Sequence, residues 1–278
     1  MKTGFKNRSA QQRAYCYVFI ISMLTACTAS HKTTVSTASS DFVANSKLFT
    51  AVWMQKAAEY KALCEQAYNI AYLRLDEYIR ANTSDKKLAV ITDIDETLLD
   101  NSAYAVHRAL RGKDYDNVSW DDWVSRAAAD TIPGALNFFR NAAAKNVSVF
   151  YVTNRNNAGR SATLSNLVKF GFPDADEQHL VTMANTSSKE ARRLEIERSY
   201  NVVLFIGDNL ADFSALFDKK NADERAVTVT ANKEEFGKRF IILPNPNYGD
   251  WESALYQFNY KLTPAQKDSV WKASARDY

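Results

Sequence analysis

The 278-residue chain predicts an α/β fold, a doubly wound parallel sheet preceded by an N-terminal helical extension. Three observations lead there. Short apolar runs at residues 88–91, 147–152, 179–183 and 202–206 have the length of buried strands. Amphipathic segments of helical period separate them, which makes successive strands parallel. Each run ends in polar residues, and the carboxyl edge of such a sheet is where open α/β folds keep their ligands.

The chain opens on a different kind of segment. Lys2, Lys6, Arg8 and Arg13 precede an apolar stretch over 14–24, shorter than the about 20 residues a membrane-spanning helix needs. A basic head, a short apolar core and small residues thereafter read as a secretory signal peptide, residues 1–26. Leu24-Thr25-Ala26-Cys27 resembles a bacterial lipobox, which implies that Cys27 is lipidated. Thr28 in place of Asp after the cysteine resembles the sorting pattern of outer-membrane lipoproteins, on the periplasmic or surface face. Acyl chains anchor by about 0.8 kcal/mol per buried CH₂, so the membrane is met through the lipid alone. Residues 31–47 are rich in Ser, Thr and Ala without an apolar period. Residues 27–47 therefore read as anchor and flexible tether, and 48–278 as the globular domain.

Of three cysteines, Cys16 lies in the leader and Cys27 at the anchor, so Cys64 has no internal disulfide partner and reads as a small core residue. The formal net charge of +3 includes the basic leader, and no nucleic-acid groove is expected.

Within the domain, Leu48, Val52, Leu63, Ala67, Ile70, Ala71 and Tyr78 recur at helical spacing. They predict one long helix, or two joined near residues 60–64. Residues 101–131 lack a strand signal and carry Tyr104, His107, Tyr115, Trp120 and Trp123. The two tryptophans, three apart on a helix, suit a core as well as a site. Asp130 or Thr131 predicts a helix cap with Pro133 in the first turn. Residues 161–170 predict a helix closed by Gly171. Residues 226–229 and 240–243 predict further strands. A Pro-Asn loop follows at 244–248, then a closing helix through Trp251, Leu255 and Phe258.

The chemistry gathers at the strand ends. Asp93 and Asp95 follow the first strand, and two acids this close need a cation or a shared proton. Alone, they also fit an Asp-rich turn. Thr153 and Asn154 follow the second strand just before a helix, where a hydroxyl and backbone N–H groups make a phosphate site. Alone, they fit an ordinary loop. Asp208 and Asp212 follow Gly207 and lie four apart on a predicted starting helix, on one face. Either acid suits a helix cap, but the pair after a glycine is better explained by a cation. Asp93, Asp95 and Asp208 would converge with oxygen ligands suited to Mg²⁺. With no cluster of His or Cys a zinc site is not expected. With no Arg-His-Gly string, neither is phosphohistidine chemistry.

The string Asp93-Ile94-Asp95-Glu96-Thr97, then Leu98-Leu99, resembles the first motif of the haloacid dehalogenase superfamily of aspartate-nucleophile phosphatases. With Asp100-Asn101-Ser102-Ala103-Tyr104 it is similar to the first signature of the class C bacterial acid phosphatases. Ile206-Gly207-Asp208-Asn209-Leu210-Ala211-Asp212-Phe213 is similar to their second, and the lipobox fits their outer-membrane lipoprotein members of 5'-nucleotidase type. The resemblance implies a haloacid dehalogenase-like sheet with a small helical cap within 101–131. It implies Asp93 as nucleophile and Asp95 as acid and base, with the Asp95 backbone carbonyl reaching the metal. Asp93 and Asp208 would bind Mg²⁺, and Asp212 would orient a metal-bound water or Asn209. Thr153, Asn154 and Lys189, the last at a helix start near the sheet edge, would hold phosphoryl oxygens. Trp120 and Tyr248 would sandwich a base. The implied substrate is a small phosphomonoester, a nucleoside 5'-monophosphate. A broad acid phosphatase without nucleotide preference, or a non-catalytic binding lipoprotein, stands as the alternative. The oligomeric state is open, with a homodimer among the alternatives.

Overall fold

The computed structural model describes residue 1 and residues 42–278; the leader, Cys27 and most of the tether lie outside the described residues. Helix α1 (Phe42–Lys56) is followed by α2 (Ala58–Ala81). The break falls at Ala57, in extended conformation, rather than at 60–64. Residues 42–47, expected as tether, are helical. Distant groups hold them there: Asp268 accepts the Val43 N–H at 3.3 Å, and the Lys47 ammonium binds Glu252 and the Asn247 carbonyl. Contacts across about 200 residues leave no mark in local composition.

The chain then runs through β1 (Leu88–Thr92) and β2 (Leu99–Asp100), α3 (Ser102–Ala109), α4 (Asn117–Ser125), β3 (Asp130–Thr131) and α5 (Ala135–Ala144). There follow β4 (Ser148–Asn156), α6 (Arg160–Phe170), β5 (Leu180–Met183), α7 (Glu190–Ser199) and β6 (Asn201–Gly207). Last come α8 (Ala222–Ala231), β7 (Phe240–Ile242), α9 (Asp250–Leu255) and α10 (Pro264–Ser274).

Five strands form one parallel sheet in the order β5-β4-β1-β6-β7, with β1 at its centre. Alternation along β1 sends Val90 to one face and Ala89 and Ile91 to the other. On the first face lie Tyr68 and Leu75 of α2 with Phe138 and Phe139 of α5; on the second, Ile196 of α7 with Phe205 and Phe213. Both faces are covered, as parallel sheets require. Beyond β1 the ladder continues by one bond, from the Asp93 N–H to the Ile206 carbonyl at 2.9 Å. That bond fixes the backbone on which the site stands.

The small cap is there: α3 and α4 rise from a two-stranded ribbon in which β2 pairs antiparallel with β3. Asp130 and Thr131 therefore belong to a strand and do not cap α5. Gly134 takes the cap position instead, at φ 83°, where an added Cβ would lie 2.9 Å from Tyr68 Cδ2. Residues 226–229, whose Ala-Val-Thr-Val predicts a strand, lie within α8. The Asn221 and Glu224 capping box at its start outweighs β-branched propensity. The acids after β6 sit around a 3₁₀ turn over Leu210–Asp212 rather than on an α-helix. The closing segment is two helices, the second started by Thr263, Pro264 and Gln266. No helix among the described residues is long and apolar enough to cross a membrane.

Candidate active site

Strands β1 and β6 end side by side, and their next residues are acids. Asp93 leaves β1, Asp208 and Asp212 follow β6, and Lys189 stands at the N-terminus of α7. The Lys189 ammonium is paired with Asp93 and lies 2.7 Å from Asp212 Oδ1. Carboxylate oxygens of Asp93, Asp208 and Asp212 all fall within 4.8 Å of one another. Asp93, Asp212 and Lys189 are 8 %, 6 % and 4 % exposed, so the charges meet in a low-dielectric pocket where each interaction is magnified.

One ammonium cannot balance three carboxylates, and the titration of the groups reflects it. Burial raises the Asp93 carboxyl, Lys189 opposes the rise, and Asp212 and Asp95 add to it. Enclosure, then the charges of Asp212 and Asp93, pushes Asp208 well above the carboxylate range. Burial works against the Lys189 ammonium, but Asp212 and Asp93 outweigh it and raise its pKa. A divalent cation would relieve the excess negative charge. The donors are all hard oxygens, the set Mg²⁺ takes.

Each acid is held by a neighbour. Asn245 Nδ2 donates to Asp208 at 2.7 Å, and the Asn209 N–H donates to Asp212 Oδ2 at 3.0 Å. Gly207 is obligatory, because an added Cβ would lie 2.6 Å from Asp212 Cβ. Asp212, expected one step outside the metal, stands among the acids themselves.

Asp95 is turned elsewhere. Its Oδ1 accepts from Arg155 Nη2 at 2.7 Å, Arg155 Nε at 3.0 Å and Asn101 Nδ2 at 2.9 Å. The carboxylate is thus kept apart from the three-acid cluster. Glu96, next in chain, is buried at φ 54°; it accepts from the Tyr248 hydroxyl and from the Asn101 N–H at 2.8 Å. Burial, then Asp95 and Asp208, raises the Glu96 carboxyl well above its ordinary value. Sequence reasoning missed Arg155, Asn101 and Glu96 as site residues, although all three lie in the motif stretches.

The remaining expected residues divide. Thr153 falls inside β4, is fully buried, and its hydroxyl accepts the Arg155 N–H at 3.1 Å. Asn154 faces the cavity, held by Arg192 Nη2 at 2.6 Å and by its own bond to the Ser187 carbonyl at 2.9 Å. A cavity of about 960 Å³ opens above Asp93, Asp95 and Lys189, and both Trp120 and Tyr248 line it. Trp120 packs edge-on against Tyr104 at 5.2 Å, with the Arg155 guanidinium 5.8 Å from its ring centre. Trp123 is turned to the core side, its indole N–H donating to Asn101 at 2.8 Å.

A central strand that ends in a lysine-paired aspartate, with a second acid two residues on and two more from the next strand, defines an aspartate-based hydrolase of the haloacid dehalogenase class. Residues 1–251 match the family described as HAD superfamily, subfamily IIIB (acid phosphatase), and the chain belongs to that family. It is similar to the class C acid phosphatase from Bacillus anthracis at 38 % identity and a TM-score of 0.82, over 85 % of this chain and 99 % of that one. The tungstate-bound structure of that enzyme gives the same identity and TM-score over 86 % and 99 %. Acid phosphatase 1 of Solanum lycopersicum is 30 % identical over 129 residues, 44 % of this chain and 50 % of that protein. The stem 31 kDa glycoprotein of Glycine max is 27 % identical over 128 residues, 44 % and 50 % of the two chains. The chain spans about half the length of these two curated relatives.

Proposed function

We propose that this phosphatase is a Mg²⁺-dependent phosphomonoesterase of the cell envelope that acts on nucleoside 5'-monophosphates through an aspartyl phosphate. The observation that carries the reading is the Asp93 carboxylate, buried against Lys189 at the floor of a cavity walled by aromatic rings. Asp93 and Asp208 carboxylates and the Asp95 backbone carbonyl would hold the metal, which supplies positive charge for the phosphoryl oxygens.

The chain's own residues do the rest. A carboxylate oxygen of Asp93 attacks phosphorus as the bond to the leaving oxygen breaks, and Asp95 gives that oxygen its proton. Asp95, now ionised, takes a proton from the attacking water as the Asp93–phosphorus bond breaks and phosphate leaves. Lys189 neutralises phosphoryl charge throughout, and Asn154 offers an amide donor at the cavity wall. Tungstate on the Bacillus anthracis relative supports a tetrahedral-oxyanion site in this fold. Trp120 and Tyr248, on the cavity wall, support recognition of a base by stacking. Lipidation at Cys27 would place the enzyme on the outer membrane.

The test is phosphate release across nucleotides, sugar phosphates and an aryl phosphate, with and without chelator. The expected result is highest kcat/KM for nucleotides, loss on chelation and recovery with Mg²⁺. Equal kcat/KM on all three classes would leave a broad acid phosphatase. Activity that survives exhaustive chelation, or phosphate release by Asp93→Asn, would overturn the chemistry. Cys27→Ser should move the protein from the membrane to the soluble fraction; continued fractionation with membranes would overturn the anchor.

A further inference from the structure

Asp95 is held by a network that the reaction alone does not require. Asn101, 2 % exposed, sits at its hub, where four hydrogen bonds join it to Asp95, Glu96 and Trp123 beside a longer one from Nδ2 to the Leu99 carbonyl at 3.4 Å. Its backbone N–H donates to Glu96 Oε1 at 2.8 Å, and its side-chain Nδ2 donates to Asp95 Oδ1 at 2.9 Å and to Glu96 Oε2 at 3.3 Å. Its Oδ1 accepts the Trp123 indole N–H at 2.8 Å. The amide cannot be turned over. An indole only donates, and Asp95 Oδ1 is already an acceptor of the Arg155 N–H groups, so the flipped amide would face donor to donor and acceptor to acceptor.

The two oxygens of Asp95 are therefore not equivalent. Oδ1 accepts from Asn101 Nδ2, from Arg155 Nη2 at 2.7 Å and from Arg155 Nε at 3.0 Å. Oδ2 has one long contact, 3.3 Å, with the same Arg155 Nε. An oxygen already surrounded by three N–H donors has no place for a proton. We infer that Asn101 is a positioning residue that, with Arg155, commits Oδ1 to acceptance and leaves Oδ2 as the atom that gives and takes the proton. Trp123 belongs to α4, so the cap sets the rotamer of Asp95 through this one amide. The inference rests on the reading of Asp95 as acid and base.

Its test uses the leaving group. A set of substituted phenyl phosphates of similar size but different phenol acidity is compared by kcat/KM, which reports steps up to departure of the phenol and not the later hydrolysis. Nitrophenolate leaves without a proton; unsubstituted phenol needs one. Asn101→Ala should cost about 3-fold on the nitrophenyl ester and about 50-fold on the phenyl ester, less than the roughly 10²–10⁴-fold that complete loss of general acid catalysis costs, because Arg155 still holds Asp95. Trp123→Phe keeps an aromatic ring but removes the N–H donor with the pyrrole half of the indole, and should show the same dependence at about 5-fold on the phenyl ester; it carries the test if Asn101→Ala does not fold. Asp95→Asn is the control. If it shows strong leaving-group dependence while Asn101→Ala and Trp123→Phe lose activity equally on every ester, the network is structural and the inference falls. If Asp95→Asn itself shows no dependence, the assignment of Asp95 is what fails.

Discussion

The floor and the rim of the cavity are built by opposite means. The floor is four charged groups placed by two strand ends and the start of α7, with Asp93, Asp212 and Lys189 each less than a tenth exposed. The rim is aromatic and wet: Tyr115 is 57 % exposed and Tyr260 75 %. On the floor every charge has a protein partner, from the Lys189 pair to the Asn245 bond on Asp208. On the rim, rings lean on one another, as Tyr104, Tyr115 and Trp120 do. Buried electrostatics is strong and intolerant of displacement, whereas stacking tolerates many partners. The floor is thus fixed in place, while the rim, which on the proposed reading meets the leaving group, can adapt.

If that division is right, floor substitutions act on turnover and rim substitutions on selectivity. The largest effect belongs to Lys189→Met, which keeps the bulk and removes the charge. Turnover should fall about 10³-fold on every substrate, the scale of losing a buried electrostatic stabiliser. Gly207→Ala comes next, because the new methyl must push Asp212 away from Lys189 and the Asn209 N–H. Misplacement of about 1 Å at a site costs roughly 10²-fold. Steady-state kcat on an aryl phosphate checks both; near-native turnover in either would dissolve the contrast.

That contrast also governs what the sequence shows. Asp93, Asp208 and Lys189 follow apolar runs or open a helix, and parallel strands bring such ends together by rule, so their meeting is legible. Arg155 is different. Its neighbours Thr153 and Asn154 mark a phosphate loop by composition, yet the guanidinium reaches back across the strand end to Asp95, and no spacing announces that. Glu96 and Tyr248 are 152 residues apart in sequence. The same asymmetry holds in the fold. The sheet strands are readable because burial on both faces demands continuous apolar runs. Residues 226–229 mislead because local β-branched alternation is weaker than a capping box and the burial of Arg225. Thr263 and Gln266 did offer a readable signal for α10.

The proposed metal sharpens the comparison inside the floor itself. Asp208→Ala should raise the Mg²⁺ concentration for half-activity about 100-fold. Asp212→Ala should raise it about 10-fold, the lower end of the roughly 10–100-fold effect of groups that orient ligands. Equal shifts would promote Asp212 to a direct ligand, as its place among the acids allows. On the rim, Trp120→Ala should raise KM for nucleoside monophosphates about 10-fold, consistent with about 1–3 kcal/mol per stacked base, and spare p-nitrophenyl phosphate. A matching loss on both substrates would show that the ring supports Arg155 instead.

The smallest effect is expected where the rim is tied to α10. Lys267 Nζ lies 2.5 Å from Asp114 Oδ2, the two side chains being 22 % and 38 % exposed, and it joins the segment between α3 and α4 to the closing helix. A half-wet ion pair is worth about 0–1 kcal/mol, so Lys267→Ala should lower Tm by less than about 3 °C and leave kcat unchanged. The pH dependence has a definite sign. Burial alone would raise the Asp114 carboxyl, but the Lys267 hydrogen bond and charge outweigh it and hold the group below the usual carboxylate range. A depressed folded-state pKa contributes stability above the unfolded value, about 3.9, and loses it as pH falls through the folded value. The Tm gap between the wild type and Lys267→Ala should therefore be full at pH 7 and close as the pH is taken below about 4. A gap that persists in acid would mean the lysine acts by packing its methylenes against Tyr256, whose ring centre is 5.5 Å from Nζ, and not by its charge.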